Sequence, residues 1–130
     1  MQLESDDMRL LSELGLLAAG RNIRTEAETI AQALALWRPQ SAIAGMIRGV
    51  AALSRSDHEG AVRVLREEAL KAEPASEEAK ALLGLALEKA GYRNAADQVL
   101  SPLAAAGGEG PGALAQAVLD ARRGIPGAQG

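Results

Sequence analysis

The chain has 130 residues, 14 basic and 17 acidic, for a net charge of −3, and its only aromatics are Trp37 and Tyr92. It has no cysteine, which excludes disulfide scaffolds, thiolate metal sites and cysteine nucleophiles. The charge balance and the scarcity of aromatics speak against nucleic-acid binding, and no apolar run approaches the ~18 residues that span a bilayer.

The 48% hydrophobic fraction is mostly Ala and Leu, with few β-branched residues. Ala and Leu are strong helix formers, so the predicted fold class is all-α. In chain order the pattern predicts helices at about 6–20, 24–37, 40–54, 57–72, 76–90 and 93–101, then a last one at about 112–122. Thr25-x-x-Glu28 and Ser56-x-x-Glu59 read as capping boxes, and Ser76 before Glu77 and Glu78 reads as a helix start. Turns are expected at Gly20-Arg21-Asn22, Arg55-Ser56-Asp57 and Gly91-Tyr92-Arg93. Pro102 either ends or kinks the sixth helix. Residues 104–112 read as a mobile, glycine-rich loop, and 124–130 as a flexible tail.

A repeat underlies these elements. Leu14-Gly15 is followed by Ala27, Arg48-Gly49 by Ala61 and Leu83-Gly84 by Ala96, each alanine twelve positions after its glycine. The second interval between units is one residue longer than the first, for the glycines and the alanines alike. Pro39 and Pro74 follow the first two units. The extra residue falls between Ala61 and Pro74, because only there does the first interval lengthen. This pattern resembles the tetratricopeptide repeat (TPR), two antiparallel helices in a unit of about 34 residues. Small residues on paired helices let the axes approach, and proline stops the second helix. The reading is a single TPR-like α-solenoid over 1–123, with repeats at about 8–41, 42–76 and 77–106 and a C-terminal capping helix. Gly45 stands where typical repeats carry a large side chain, as do Leu11 and Lys80.

Catalytic signals are absent. His58, the only histidine, opens a predicted helix beside Asp57 and Glu59 and reads as a solvated helix-start residue. Glu67-Glu68 and Glu77-Glu78 are adjacent on helices and point in different directions. The GxxxG spacing of Gly45 and Gly49 is interrupted by Arg48, which argues against a membrane dimer. The chain is read as a non-enzyme without cofactor or metal, and with no nucleic-acid or membrane partner.

In a TPR array the first helix of each pair lines the inner wall. The register assigns to it Leu16, Ala19, Ile43, Met46, Val50, Leu53, Ala81 and Leu85, with Glu88 beyond. This apolar stripe lacks the Lys and Asn that clamp a carboxylate, and it suits the apolar face of an amphipathic helix. At the N-terminal end, Leu3, Met8, Leu10 and Leu17 are more apolar than a solvent-facing helix requires and imply a partner face.

A narrower resemblance is carried by Leu10-Leu11-Ser12-Glu13-Leu14-Gly15-Leu16-Leu17-Ala18-Ala19-Gly20, by Glu26 through Leu34, and by Ile47-Arg48 followed by Ser54 through Ala61. In order and spacing these segments are similar to the YscG/PscG-type chaperones of bacterial type III secretion. The resemblance implies a cytoplasmic bacterial chaperone that grips the amphipathic C-terminal helix of a needle-subunit protein and prevents premature polymerisation. It also implies a small helical co-chaperone on the N-terminal face. The alternative is a translocator chaperone of the same system, or a generic TPR interaction adaptor.

Overall fold

In a computed structural model, residues 5–123 of the chain are described. They form seven helices and no strand: α1 (Ser5–Gly20), α2 (Arg24–Trp37), α3 (Ile43–Ser54), α4, α5 (Glu77–Ala90), α6 (Arg93–Ala106) and α7 (Pro111–Arg123). Helix α4 begins as His58–Val64, passes through a π-helical turn at Leu65–Ala69 and ends at Leu70–Ala72. The first six helices pack as three hairpins stacked one on the next, and α7 closes the stack against α5 and α6, giving a solenoid.

The repeat register is visible as packing. A Cβ on Gly49 would lie 2.8 Å from Leu65 Cγ, and one on Gly84 would lie 2.5 Å from Leu100 Cγ, so both glycines meet a leucine sixteen positions on. Ala27, Ala61 and Ala96 are all buried. Two clusters result. One joins α1, α2 and α3 around Leu34 and Ile47, and the other runs from α3 to α7 around Leu65, Leu87 and Leu100.

The π turn explains the longer second interval. The amide of Leu70 donates to the carbonyl of Leu65, a five-residue step that absorbs one added residue without breaking the helix. The widened turn pushes the Ala69 backbone toward α3, where Gly45 stands with no side chain to obstruct it. The GxxxG pair is therefore an intrachain contact, Gly45 on Ala69 and Gly49 on Leu65.

Several local expectations are corrected. Ser56 does not cap α4; it sits in the left-handed region at φ 62°, and Asp57 accepts the Gly60 amide at 3.0 Å instead. Thr25 lies inside α2, whose cap position is Ile23, so its capping box does not form. Ser76 does cap α5, accepting the Ala79 amide at 3.1 Å. Helix α3 starts at Ile43 rather than at 40, and Glu73 at the end of α4 takes the Ala42 amide at 2.9 Å. Pro102 lies inside α6, which continues to Ala106. Its missing N–H deprives only the carbonyl of Gln98, an exposed residue, so the helix survives. The expected loop contracts to Gly107–Gly110.

Arg48 ties three helices together. From α3 it forks onto Glu28 of α2 at 3.0 and 2.8 Å, and reaches Glu68 of α4 at 2.9 Å. Hydrogen bonding to Arg48 holds the Glu28 carboxyl below its ordinary value of 4.5. A depressed carboxyl stabilises the fold above its unfolded pKa and loses that contribution as pH falls through the lower folded value. Arg48→Gln is therefore expected to lower the urea midpoint modestly at neutral pH, since the partners are partly exposed. The gap from the unsubstituted protein should close as pH falls below 4.5.

Candidate functional site

The direction of the odd-numbered helices follows from their contacts. Pro111 and Leu114, at the start of α7, lie with Glu78 and Leu82 at the start of α5, while Arg122 at the end of α7 pairs with Glu88 near the end of α5. Ser54 at the end of α3 donates to the carbonyl of Ala19 near the end of α1 at 2.6 Å. Helices α1, α3, α5 and α7 thus run side by side in one direction and build one wall.

A groove of about 420 Å³ opens in that wall. Leu16 of α1, Met46 and Val50 of α3, Ala81 and Leu82 of α5, and Pro111 and Leu114 of α7 line it, with Glu78 and Gly110 completing the lining. Its exposed walls are apolar throughout. The groove offers no acid, base or nucleophile array; it offers a dry surface whose adaptable Met and Leu side chains can reshape around an apolar stripe. Larger in volume are an open hollow of about 530 Å³ at the α2–α3 turn, which Arg38, Gln40 and Glu73 make polar, and one of about 430 Å³ whose lining includes Glu77, Lys80 and Gln98. A smaller cavity of about 220 Å³ beside Arg24 and Arg55 includes Arg48, already engaged by two carboxylates. Among the described residues no group of three or more His, Asp or Glu is placed to hold a metal ion.

Of the eight residues assigned to the inner wall, Leu16, Met46, Val50 and Ala81 meet in the groove, Ala81 as its buried floor. Ala19 does not line it: the residue is fully buried between α1 and α3, where its small size permits the helices to approach. Ile43, Leu53 and Leu85 are half-buried and spend their surface on the two cores rather than on the groove. Glu88 is taken by Arg122. Glu78, Leu82, Gly110, Pro111 and Leu114 are not legible as lining in the sequence, the last three because their segment reads as loop and cap. One signal does exist: Pro111 stands one repeat length after Glu77, which places α7 as the first helix of a further unit.

The N-terminal face also divides. Leu10 and Leu17 are exposed as expected, and Leu14 joins them. Met8 is a correction: it is buried in the N-terminal cluster, because its position on α1 faces the core shared with α2 and α3 rather than solvent. Leu3 lies outside the described residues. No helix is long and apolar enough to cross a membrane.

A family model described as bacterial type III secretion protein (HrpB1_HrpK) matches residues 1–109. No curated protein and no solved structure matches the chain. The matched span carries Leu16, Met46, Val50, Glu78, Ala81 and Leu82, whereas Pro111 and Leu114 lie beyond it. The match meets the sequence resemblance at the level of the secretion system and does not extend to the needle-chaperone type. With most of its length accounted for in this way, the chain belongs to the HrpB1_HrpK family of bacterial type III secretion proteins.

Proposed function

We propose that this protein is a type III secretion chaperone whose groove receives one amphipathic helix, that of the needle subunit, and so keeps the subunit from polymerising. The observation that carries the reading is the apolar groove to which all four parallel helices contribute. A subunit that polymerises through helical faces is held monomeric by a surface that covers such a face, because binding monomer and not polymer shifts assembly by mass action. The groove has no charged cluster to grip a chain terminus, which favours recognition of a helix face. On this reading the protein acts in the cytoplasm, before export.

Met46→Glu tests it. The substitution sets a carboxylate where the client's apolar stripe must be desolvated, and an unpaired buried charge is costly. Affinity for a synthetic C-terminal helix of the needle subunit, read by fluorescence anisotropy, is expected to fall tenfold or more, about 1.4 kcal/mol per decade. Far-UV dichroism should be unchanged, because Met46 is only half-buried without a client. The control is Glu67→Lys, exposed on α4 and outside the groove lining, which should leave affinity unchanged. A folded Met46→Glu protein with full affinity overturns the groove reading, and Val50→Glu or Leu114→Glu replaces it if the first variant unfolds. Fractionation that finds the protein only outside the cytoplasm overturns the pre-export role.

A further inference from the structure

We propose that the outer row of α1 is a self-complementary seam through which two copies of this chain pair, α1 against α1 and antiparallel. Leu10, Leu14 and Leu17 are 56%, 45% and 51% exposed. Spaced by four and then three positions, they form one row along the helix. The row is distinct from Leu16, which turns into the groove.

The repeat register shows what this row is for. Its counterparts one repeat on are Ala44, Arg48 and Ala51, and in the third unit they are Ala79, Leu83 and Ala86. Ala44 and Ala51 pack in the N-terminal cluster against the preceding pair, and Ala79, Leu83 and Ala86 are buried. In later units, then, this row lies against the preceding pair. In α1 it faces outward among the described residues. The side chains also differ in kind. Alanine suits the close approach of a neighbouring repeat, whereas leucines at heptad spacing interdigitate across the wider separation of a coiled-coil seam.

The charge pattern selects a second copy as the occupant. Asp6 marks the acidic start of α1, and Arg21 stands just past its other end. A half-turn about a point beside Leu14 lays Leu10 against Leu17 of the second copy, brings the two Leu14 side chains together, and sets each acidic end against an Arg21. Parallel pairing would set acid against acid, and arginine against arginine. Antiparallel packing also opposes the two helix dipoles favourably. A patch that maps onto itself with reversed charge is what an isologous twofold interface requires, and an unrelated partner would not need that symmetry.

Sedimentation equilibrium of the full chain tests the seam, independently of the groove. A reversible dimer is expected. Leu14→Glu, which opposes two carboxylates at the axis, should raise the dimer dissociation constant at least tenfold with an unchanged helical spectrum. Asp6→Lys and Arg21→Glu should each weaken the dimer, and a one-to-one mixture of the two variants should recover it, because the mixed pair restores opposite charges at both ends. This exchange also decides the matter if Leu14→Glu fails to fold. A chain that stays monomeric at about 1 mM overturns the proposal. So does a dimer indifferent to Leu14→Glu and to the charge exchange. A small helical protein that occupies the row while the chain alone stays monomeric also overturns it.

Discussion

Gly45→Ala is expected to lower the unfolding free energy by about 1–3 kcal/mol, as overpacking of a closed interior does. Helix propensity alone predicts the opposite sign, since alanine is the better helix former by about 1 kcal/mol. The added Cβ would stand 2.6 Å from Ala69 Cα and 2.7 Å from Ala69 Cβ, and also against the Ala69 amide nitrogen. Those are mainly backbone atoms in the π turn, which cannot rotate away as a side-chain tip can. The same substitution at Gly84 meets the branched end of Leu100 and should cost less. Gly20→Ala is the control: its Cβ meets only Val50 Cγ1, at 4.0 Å, so stability should be unchanged or higher by about 0.5–1 kcal/mol. Urea midpoints of the three variants check the ranking. An unperturbed Gly45→Ala protein would mean that the π turn does not approach α3.

Arg122→Ala is expected to cost about 1.5–3 kcal/mol, the range for hydrogen bonds to charged groups. Its guanidinium bonds to both oxygens of Glu88 and to Asp97, fastening α7 to α5 and α6 at once. These bonds, Glu88's first, hold the guanidinium charged well above its usual range. The Arg122 and Glu88 side chains are only 14% and 18% exposed, so the Glu88 partner supplies most of the effect; Asp97, 45% exposed, adds little. Arg122→Lys should recover only part of the loss, because an ammonium cannot serve two carboxylates through one planar fork. Arg122→Met with Glu88→Met should be milder than Arg122→Ala alone, since no carboxylate is then left unpaired. Because α7 supplies Pro111 and Leu114 to the groove, Arg122→Ala should also weaken binding of the helix proposed above, although Arg122 does not line the groove. Faster amide exchange across α7, with α1 to α3 unaffected, locates the damage.

The groove is half legible in the sequence. Leu16 and Val50, and Met46 and Ala81, follow from two positions of the repeat register that face one wall, although Leu85, in register with the first two, does not line it. Ala19 is misplaced by the same register. Register gives a direction but not the distance to the neighbouring axis, and α3 approaches close enough at Ala19 to bury it. Met8 fails for a related reason: an apolar residue near a solenoid end reads equally as core or as partner face, and only the packing of α1 on its neighbours separates the two.

The all-helical class, the glycine and alanine positions that are buried, and the interval that holds one extra residue can all be read along the chain. These are local properties of composition and spacing, and each is fixed within a single helix pair. That Arg48 spans α2 and α4, that Asp57 rather than Ser56 caps α4, and that α7 returns beside α5 to complete the groove emerge only once the helices are packed. Glu88 and Arg122 stand one repeat apart, and nothing in that spacing says that the two will meet. Such contacts depend on how the pairs stack, because a side chain's partner across a solenoid is set by the rotation between repeats and not by its neighbours along the chain.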